Sequence, residues 1–205
     1  QSYVLYHLNQ KILAHVLLPL GIYKKEDTRR MAEEYHLPVA HKPESQEICF
    51  VPNDDYKAYM RKKRPECCRP GNIVDCLGNI LGQHEGLAFY TIGQRRGLGI
   101  AAPTPFYVIA LDAEQNHVVV GKSDDVYATQ LIAADMNWTM WHDLQSIREV
   151  RAKIRYGKRD TPARIMPHLR GSVLVQFSEP QRAVTPGQSI VFYEDDIVLG
   201  GGVID

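Results

Sequence analysis

The spacing of apolar residues changes along this chain of 205 residues. In the first third it is helical, and in the last third it alternates every second residue. Residues 2–18 predict two short helices. Ser2 is placed to cap the first and Asn9 the second, whose face carries Ile12, Leu13, Val16 and Leu17 before Pro19 stops it. A second amphipathic helix is predicted from Lys25 to Tyr35. Asp27, Arg29, Arg30, Glu33 and Glu34 form its wet side, and Met31, Ala32 and Tyr35 its packing side. Leu37-Pro38-Val39 reads as an extended segment leading into the polar loop from His41 to Phe50. Two helices and a short strand are too little to bury both apolar faces. This block is therefore expected to pack on a part of the protein upstream of Gln1, which opens in the middle of structured sequence without an initiator Met.

A third helix is predicted from Asp54 to Lys63 with Tyr56, Tyr59 and Met60 inward. Beyond Pro65 the pattern turns to β. Residues 71–82 read as strand, turn and strand about Leu77-Gly78-Asn79, and a helical turn is expected over 85–90. Thr91 to Ile100 form a glycine-rich basic loop, and a second hairpin spans 106–111 and 117–120. From Ala128 onward six strands are expected: 130–138, 147–156, 162–167, 172–177, 189–193 and 197–204, with Asp195-Asp196 turning between the last two. Six short strands separated by turn signals predict a small closed barrel or sandwich, with a boundary near Ser123-Asp124-Asp125. The fold class is α+β, mostly β.

Hydrophobic residues make up 44% of the chain, enough for one large core or two small ones. No apolar run approaches the ~20 residues of a membrane helix, so a membrane partner is not expected. The 24 basic and 24 acidic residues balance, so only local clustering can point to a polyanion. Such a cluster lies between Arg148 and Arg170, where eight basic residues meet only two acids, Glu149 and Asp160. Period two puts Arg151, Lys153 and Arg155 on one face of a strand whose other face carries Val150, Ala152, Ile154 and Tyr156. A decorated soluble surface and a phosphate-binding face both fit this pattern. Arg95 and Arg96 in the glycine-rich loop are a second cationic site, open to the same two readings.

The four cysteines are Cys49, Cys67, Cys68 and Cys76. Adjacent Cys67 and Cys68 do not read as a disulfide framework, so a reducing cytoplasm is expected. No Cys-x-x-Cys or His-x-x-x-His pair suggests a metal site. Taken by composition, Ile48-Cys49-Phe50 is a small buried hydrophobe in a strand. At the end of a polar loop, a thiol does chemistry only when it is deprotonated, reachable and set against a partner.

A set of motifs in order along the whole chain resembles one family. They are Gln1-Ser2-Tyr3, Leu18-Pro19-Leu20-Gly21, Ser45-Gln46-Glu47-Ile48-Cys49-Phe50, Pro70-Gly71-Asn72-Ile73-Val74-Asp75, His84-Glu85-Gly86, Tyr90-Thr91-Ile92-Gly93-Gln94-Arg95-Arg96-Gly97-Leu98-Gly99-Ile100, Val119-Val120-Gly121, Thr185-Pro186-Gly187-Gln188-Ser189 and Leu199-Gly200-Gly201-Gly202. The family is the tRNA-specific 2-thiouridylases (MnmA/TrmU). The resemblance implies ATP-dependent replacement of the C2 oxygen of the wobble uridine in tRNA by sulfur. Cys49 would carry the sulfur as a persulfide, and a second cysteine would resolve it as a disulfide. It implies tRNA contact by Gln1, Arg155, Tyr156 and Gln188, to which the charge pattern adds Arg151, Lys153, Arg95 and Arg96. It also implies a sulfur-donor protein such as a cysteine desulfurase or a sulfur-relay carrier.

Three parts follow from the resemblance: residues 1–52 as a helical remnant of the catalytic domain, 53–125 as a small central β-rich domain, and 126–205 as a six-stranded antiparallel tRNA-binding barrel. The family's Ser-Gly-Gly-x-Asp-Ser phosphate loop and first catalytic cysteine do not occur in this sequence. ATP, with Mg, is thus expected on an upstream domain, and no cofactor or metal is assigned to these residues. Glu44 stands where the family usually has Asp. A non-catalytic RNA-binding module with a translation-factor-like barrel is the alternative, and a β-protein with a redox-sensing thiol is a third reading.

Overall fold

A computed structural model describes residues 2–42, 51, 55–157 and 159–205. Among the described residues, helices α1 (Gln10–Leu13), α2 (Lys25–Glu34) and α3 (Tyr56–Lys63) precede ten strands. Strands β1 (Gly71–Val74), β2 (Ile80–His84), β3 (Tyr107–Asp112) and β4 (His117–Gly121) make a four-stranded sheet in the order β2-β1-β4-β3. Strands β5 (Tyr127–Trp138), β6 (Arg148–Lys153), β7 (Thr161–Pro167), β8 (Val173–Arg182), β9 (Ser189–Glu194) and β10 (Ile197–Ile204) close into a barrel in the order β10-β5-β8-β7-β6-β9. All six of its pairings are antiparallel. The expected fold class and six-stranded barrel are therefore present.

The barrel is organised by alternation. Ala133, Ile165, Val175, Ile190 and Phe192 are wholly buried, and Trp138 stacks on Phe192 with ring centroids 5.7 Å apart. Closure removes the exposed edges that open sheets present to other chains. The turn between β9 and β10 has Asp195 at φ 50°, the left-handed conformation its short polar side chain tolerates. In the central sheet, the β1–β2 turn is held by the Asp75 carboxylate. It accepts from the backbone N–H groups of Leu77 and Asn79 at 2.9 Å and from the Asn79 amide at 2.8 Å. These bonds, with the Asn79 side chain first among them, hold the Asp75 carboxyl below the usual carboxylate range. His84 is 2% exposed and uses both ring nitrogens: Nδ1 accepts from Gly86 N–H at 3.1 Å, so Nε2 donates to the Asn116 carbonyl at 3.0 Å.

The N-terminal segment departs from expectation in several places. Residues Ser2–His7 form a 3-10 helix, and Ser2 hydrogen-bonds Tyr193 instead of capping a helix. Asn9 does cap α1, accepting from Ile12 N–H at 2.9 Å, but α1 is a single turn that stops before Val16. Leu17 is 90% exposed and Tyr35 is 72% exposed, so neither packs as its periodicity suggested. A one-turn helix gains little from its own hydrogen bonds, and its length is set by what its apolar face meets. Residues 37–40 turn instead of extending. His36 at φ 51° ends α2, and Ala40 N–H donates to the Leu37 carbonyl. Tyr56 on α3 is likewise exposed, whereas Tyr59 and Met60 are partly buried. β6 ends at Lys153, so Tyr156 leaves the barrel wall on which strict alternation placed it and is 60% exposed. The chain bends there toward Gly157.

Candidate functional site

One rim of the barrel gathers residues from three distant stretches. The 3-10 helix Ser2–His7 lies across β9 and β10, where Tyr3 and Tyr6 pack with Val191 and Tyr193. Tyr3 donates from its hydroxyl to the Ser189 carbonyl at 2.6 Å, and the Tyr6 hydroxyl pairs with Ser189 Oγ at 2.8 Å. The Tyr6 carbonyl accepts from the Asn137 amide. The seat for this helix is cut into β10. A Cβ at Gly201 would stand 2.6 Å from the Tyr6 ring, so a side chain there would unseat the helix. Burial pushes the Tyr3 phenol up to about 12, with Tyr6 and Tyr193 adding to the rise and Arg155 opposing it.

Tyr3 is the hub of this rim. Its ring meets the exposed Tyr156 edge to face at 6.5 Å. Lys153 Nζ stands 5.9 Å from the centroid of Tyr156. Arg155 is half-buried, and its Nη2 donates to the Ala183 carbonyl at 2.9 Å and to Thr185 Oγ1 at 3.1 Å. Gln188 follows in the same turn and precedes Ser189. Its N–H donates to the Thr185 carbonyl, its carbonyl accepts from Ile204 N–H, and the residue is exposed. Arg155, Tyr156 and Gln188 are thus brought together beside the chain's first described residues. Gln1 lies outside the described residues.

The outward row on β6 is less uniformly cationic than its sequence. Val150 and Ala152 are buried and alternate with Arg151 and Lys153, as period two requires. Arg151, however, holds Asp160 through Nε at 3.0 Å and Nη2 at 2.8 Å, and Arg164 reaches Glu149 at 3.4 Å. The bond to Asp160 raises the Arg151 pKa further. Both acids of the cluster are therefore set against arginines other than Arg155.

The glycine-rich loop forms the second cationic element. Leu98 is buried among Ile73, Val108, Val118 and Val120 of the central sheet, while Arg95 and Arg96 project outward. Gln94 ties the loop: its side-chain oxygen accepts from Thr91 N–H at 3.0 Å and its amide donates to the Arg96 carbonyl at 2.9 Å. Arg95, Leu98, Gly99, Pro103 and Phe106 border an open groove of about 310 Å³.

Cys49 and the polar loop before it, residues 43–50, lie outside the described residues. Of the residues on either side, Lys42 is exposed and Val51 is buried. Arg29, Glu33, His41 and Lys42 line a groove of about 360 Å³, with His41 Nδ1 3.6 Å from Glu33. Cys67, Cys68 and Cys76 are free. Among the described residues no group of three His, Cys, Asp or Glu side chains could hold a metal ion, and no helix is long and apolar enough to cross a membrane. Sequence reasoning did not single out Ala183, and Thr185 entered it only as part of the Thr185–Ser189 motif. Ala183 is a buried non-glycine residue at φ 56°, a conformation that no composition or period signals.

Three consecutive family models match the chain. The tRNA methyl transferase HUP domain covers residues 1–53, the tRNA methyl transferase PRC-barrel domain 57–122, and the aminomethyltransferase beta-barrel domain 128–204. Among curated proteins, the tRNA-specific 2-thiouridylase MnmA 2 of Thermoanaerobacter sp. (strain X514) is 50% identical over all 205 residues. The tRNA-specific 2-thiouridylase MnmA of Carboxydothermus hydrogenoformans is 48% identical over the same span. The chain covers 56% of each of these relatives, so it spans about half their length. With three family models matching it in order and half of its residues in common with these proteins, the chain belongs to the tRNA-specific 2-thiouridylase (MnmA/TrmU) family.

Proposed function

We propose that this chain supplies the cysteine loop, the central domain and the RNA-binding barrel of an ATP-dependent enzyme that thiolates the wobble uridine of tRNA. The observation that carries this reading is the convergence of Arg155, Tyr156 and Gln188 beside Ser2 and Tyr3 on one barrel rim, in a chain half identical to proteins named as tRNA-specific 2-thiouridylases. An exposed tyrosine flanked by Lys153 offers a ring for a base to stack on, and the surrounding cations meet phosphates. Arg95 and Arg96 extend that surface onto the central domain. Arg151 is the weaker contributor because Asp160 already engages its guanidinium.

In the reaction proposed, ATP supplies the adenylate that turns the uridine C2 oxygen into a leaving group. The terminal sulfur of the Cys49 persulfide bonds to C2 as the C2–O bond breaks. A second thiolate then attacks Cys49 Sγ, the S–S bond breaks, and its electron pair stays on the sulfur now attached to C2. Cys49 is left in a disulfide with the resolving cysteine. Neither ATP nor the resolving thiol is assigned to this chain: the glycine-rich loop is anchored in the central sheet through Leu98, and Cys67, Cys68 and Cys76 fall outside matching motifs. A cysteine desulfurase or sulfur-relay carrier loads Cys49, and free thiols suit a reducing cytoplasm.

The test is a gene carrying Cys49→Ser, read by mass spectrometry of the cell's tRNA alongside binding of the purified variant to unmodified tRNA. We expect 2-thiouridine to disappear while tRNA affinity stays within about twofold. Normal 2-thiouridine would overturn the catalytic assignment and leave a non-catalytic RNA-binding module.

A further inference from the structure

The two cationic elements belong to different domains, and those domains touch beside the glycine-rich loop. Gly93 of the glycine-rich loop abuts Ala183, which follows β8: a Cβ built on Gly93 would stand 2.7 Å from Ala183 Cβ. Gly93 sits at φ 87°, where other residues are strained. Its N–H donates to the Val108 carbonyl at 2.7 Å, tying it to the central sheet, and its carbonyl accepts from Arg182 at 3.4 Å. The Arg182 guanidinium also covers the Tyr107 ring of β3 at 5.5 Å. On the barrel side, Ala183 is 1% exposed and its N–H donates to the Val126 carbonyl at 2.7 Å, in the segment joining the two domains.

A buried left-handed alanine is disfavoured and persists only where its neighbours hold it. What holds its carbonyl is Arg155, whose Nη2 donates there at 2.9 Å, together with Thr185 Oγ1, also at 2.9 Å. The same Nη2 reaches Thr185 Oγ1 at 3.1 Å, and Thr185 starts the turn that carries Gln188. One guanidinium therefore touches both the inter-domain joint and the turn at the rim.

We propose that Arg155 is a positioning residue: by clamping Ala183 and Thr185 it fixes the joint with Gly93, so that Arg95–Arg96 and Tyr156–Gln188 present one continuous RNA-binding surface. This rests on the tRNA-binding reading above and assigns Arg155 a different part in it. A phosphate contact needs only charge, which lysine supplies. Reaching both oxygens from Nη2 depends on the length and fixed plane of the guanidinium, which the shorter, freely rotating ammonium of lysine does not reproduce.

The experiment measures binding of an unmodified tRNA transcript to the 205-residue chain, with thermal unfolding recorded for each variant. We expect Arg155→Lys to lose affinity nearly as far as Arg155→Ala, on the order of tenfold. Removing Arg95 and Arg96 together should weaken wild-type binding by about tenfold but the Arg155→Ala protein by less than about twofold, a non-additive cycle. Gly93→Ala, which changes no charge, should mimic Arg155→Ala, and Ala183→Gly added to it should restore part of the loss by removing the opposing Cβ. Arg155→Lys binding within about twofold of wild type, or an additive cycle, would return Arg155 to simple phosphate contact and overturn the inference. A wild-type chain that binds no tRNA would overturn the RNA-binding reading and this inference with it.

Discussion

The barrel and the segment from Asn9 to Lys42 use similar apolar residues and bury them very differently. In the barrel, Ile165, Val175, Ile190 and Phe192 are wholly buried, and each strand has two hydrogen-bonded neighbours. In the helical segment Leu17, Ile22 and Tyr35 are 90%, 86% and 72% exposed. A closed barrel supplies both faces of its own core and leaves no edge. A single-turn helix and a ten-residue helix cannot cover each other's apolar stripes, and here they do not. Periodicity thus names the face an element needs to bury, while burial depends on a facing surface.

The contrast can be broken most forcefully at Phe192. Phe192→Ala removes a wholly buried ring on which Trp138 stacks, and should lower unfolding free energy by about 3–5 kcal/mol in denaturant titrations. A loss under about 1 kcal/mol would mean that the barrel core is not the seat of stability.

A smaller effect is expected where the N-terminal helix rests on the barrel. Tyr3→Phe removes the 2.6 Å bond to the Ser189 carbonyl and should cost about 1 kcal/mol near pH 8. Its pH dependence has a defined sign. An unfolded phenol ionises near pH 10, whereas Tyr3 in the folded chain is held at about 12, chiefly by burial. The unfolded state loses its proton first, so this contribution is complete below pH 10 and fades as pH rises to 12. The wild-type advantage over Tyr3→Phe should therefore shrink across that window, and a gap that is constant through pH 12 would contradict the buried seat. The smallest effect is expected at Leu17→Ser and Ile22→Ser, which should shift the stability of this chain by no more than about 0.5 kcal/mol. A loss like that of Phe192→Ala would erase the contrast.

Elements whose partners are adjacent in sequence were legible residue by residue. The β1–β2 hairpin turns about Asp75, Gly78 and Asn79 because these residues meet the turn's hydrogen-bonding and φ requirements locally. The six barrel strands were found within a few residues at most boundaries because alternation persists along each. Tyr156 was placed on the wrong side because alternation carries no mark of where a strand ends. The rim was partly legible: Arg155, Tyr156 and Gln188 stand in matching motifs, yet nothing in their spacing shows that Tyr3 lies between them. Arg151 looked like its neighbours until Asp160 was seen folded against it.

The sequence by itself determined the β-strands, most of their turns and the family, because periodicity, turn chemistry and ordered motifs are local properties of the chain. Only the tertiary structure decided which cations are neutralised, which apolar faces are covered, and that Gly93, Arg155 and Ala183 meet at one joint. Those outcomes depend on close approaches between residues as many as 186 positions apart, and a contact at that separation is set by how whole domains pack.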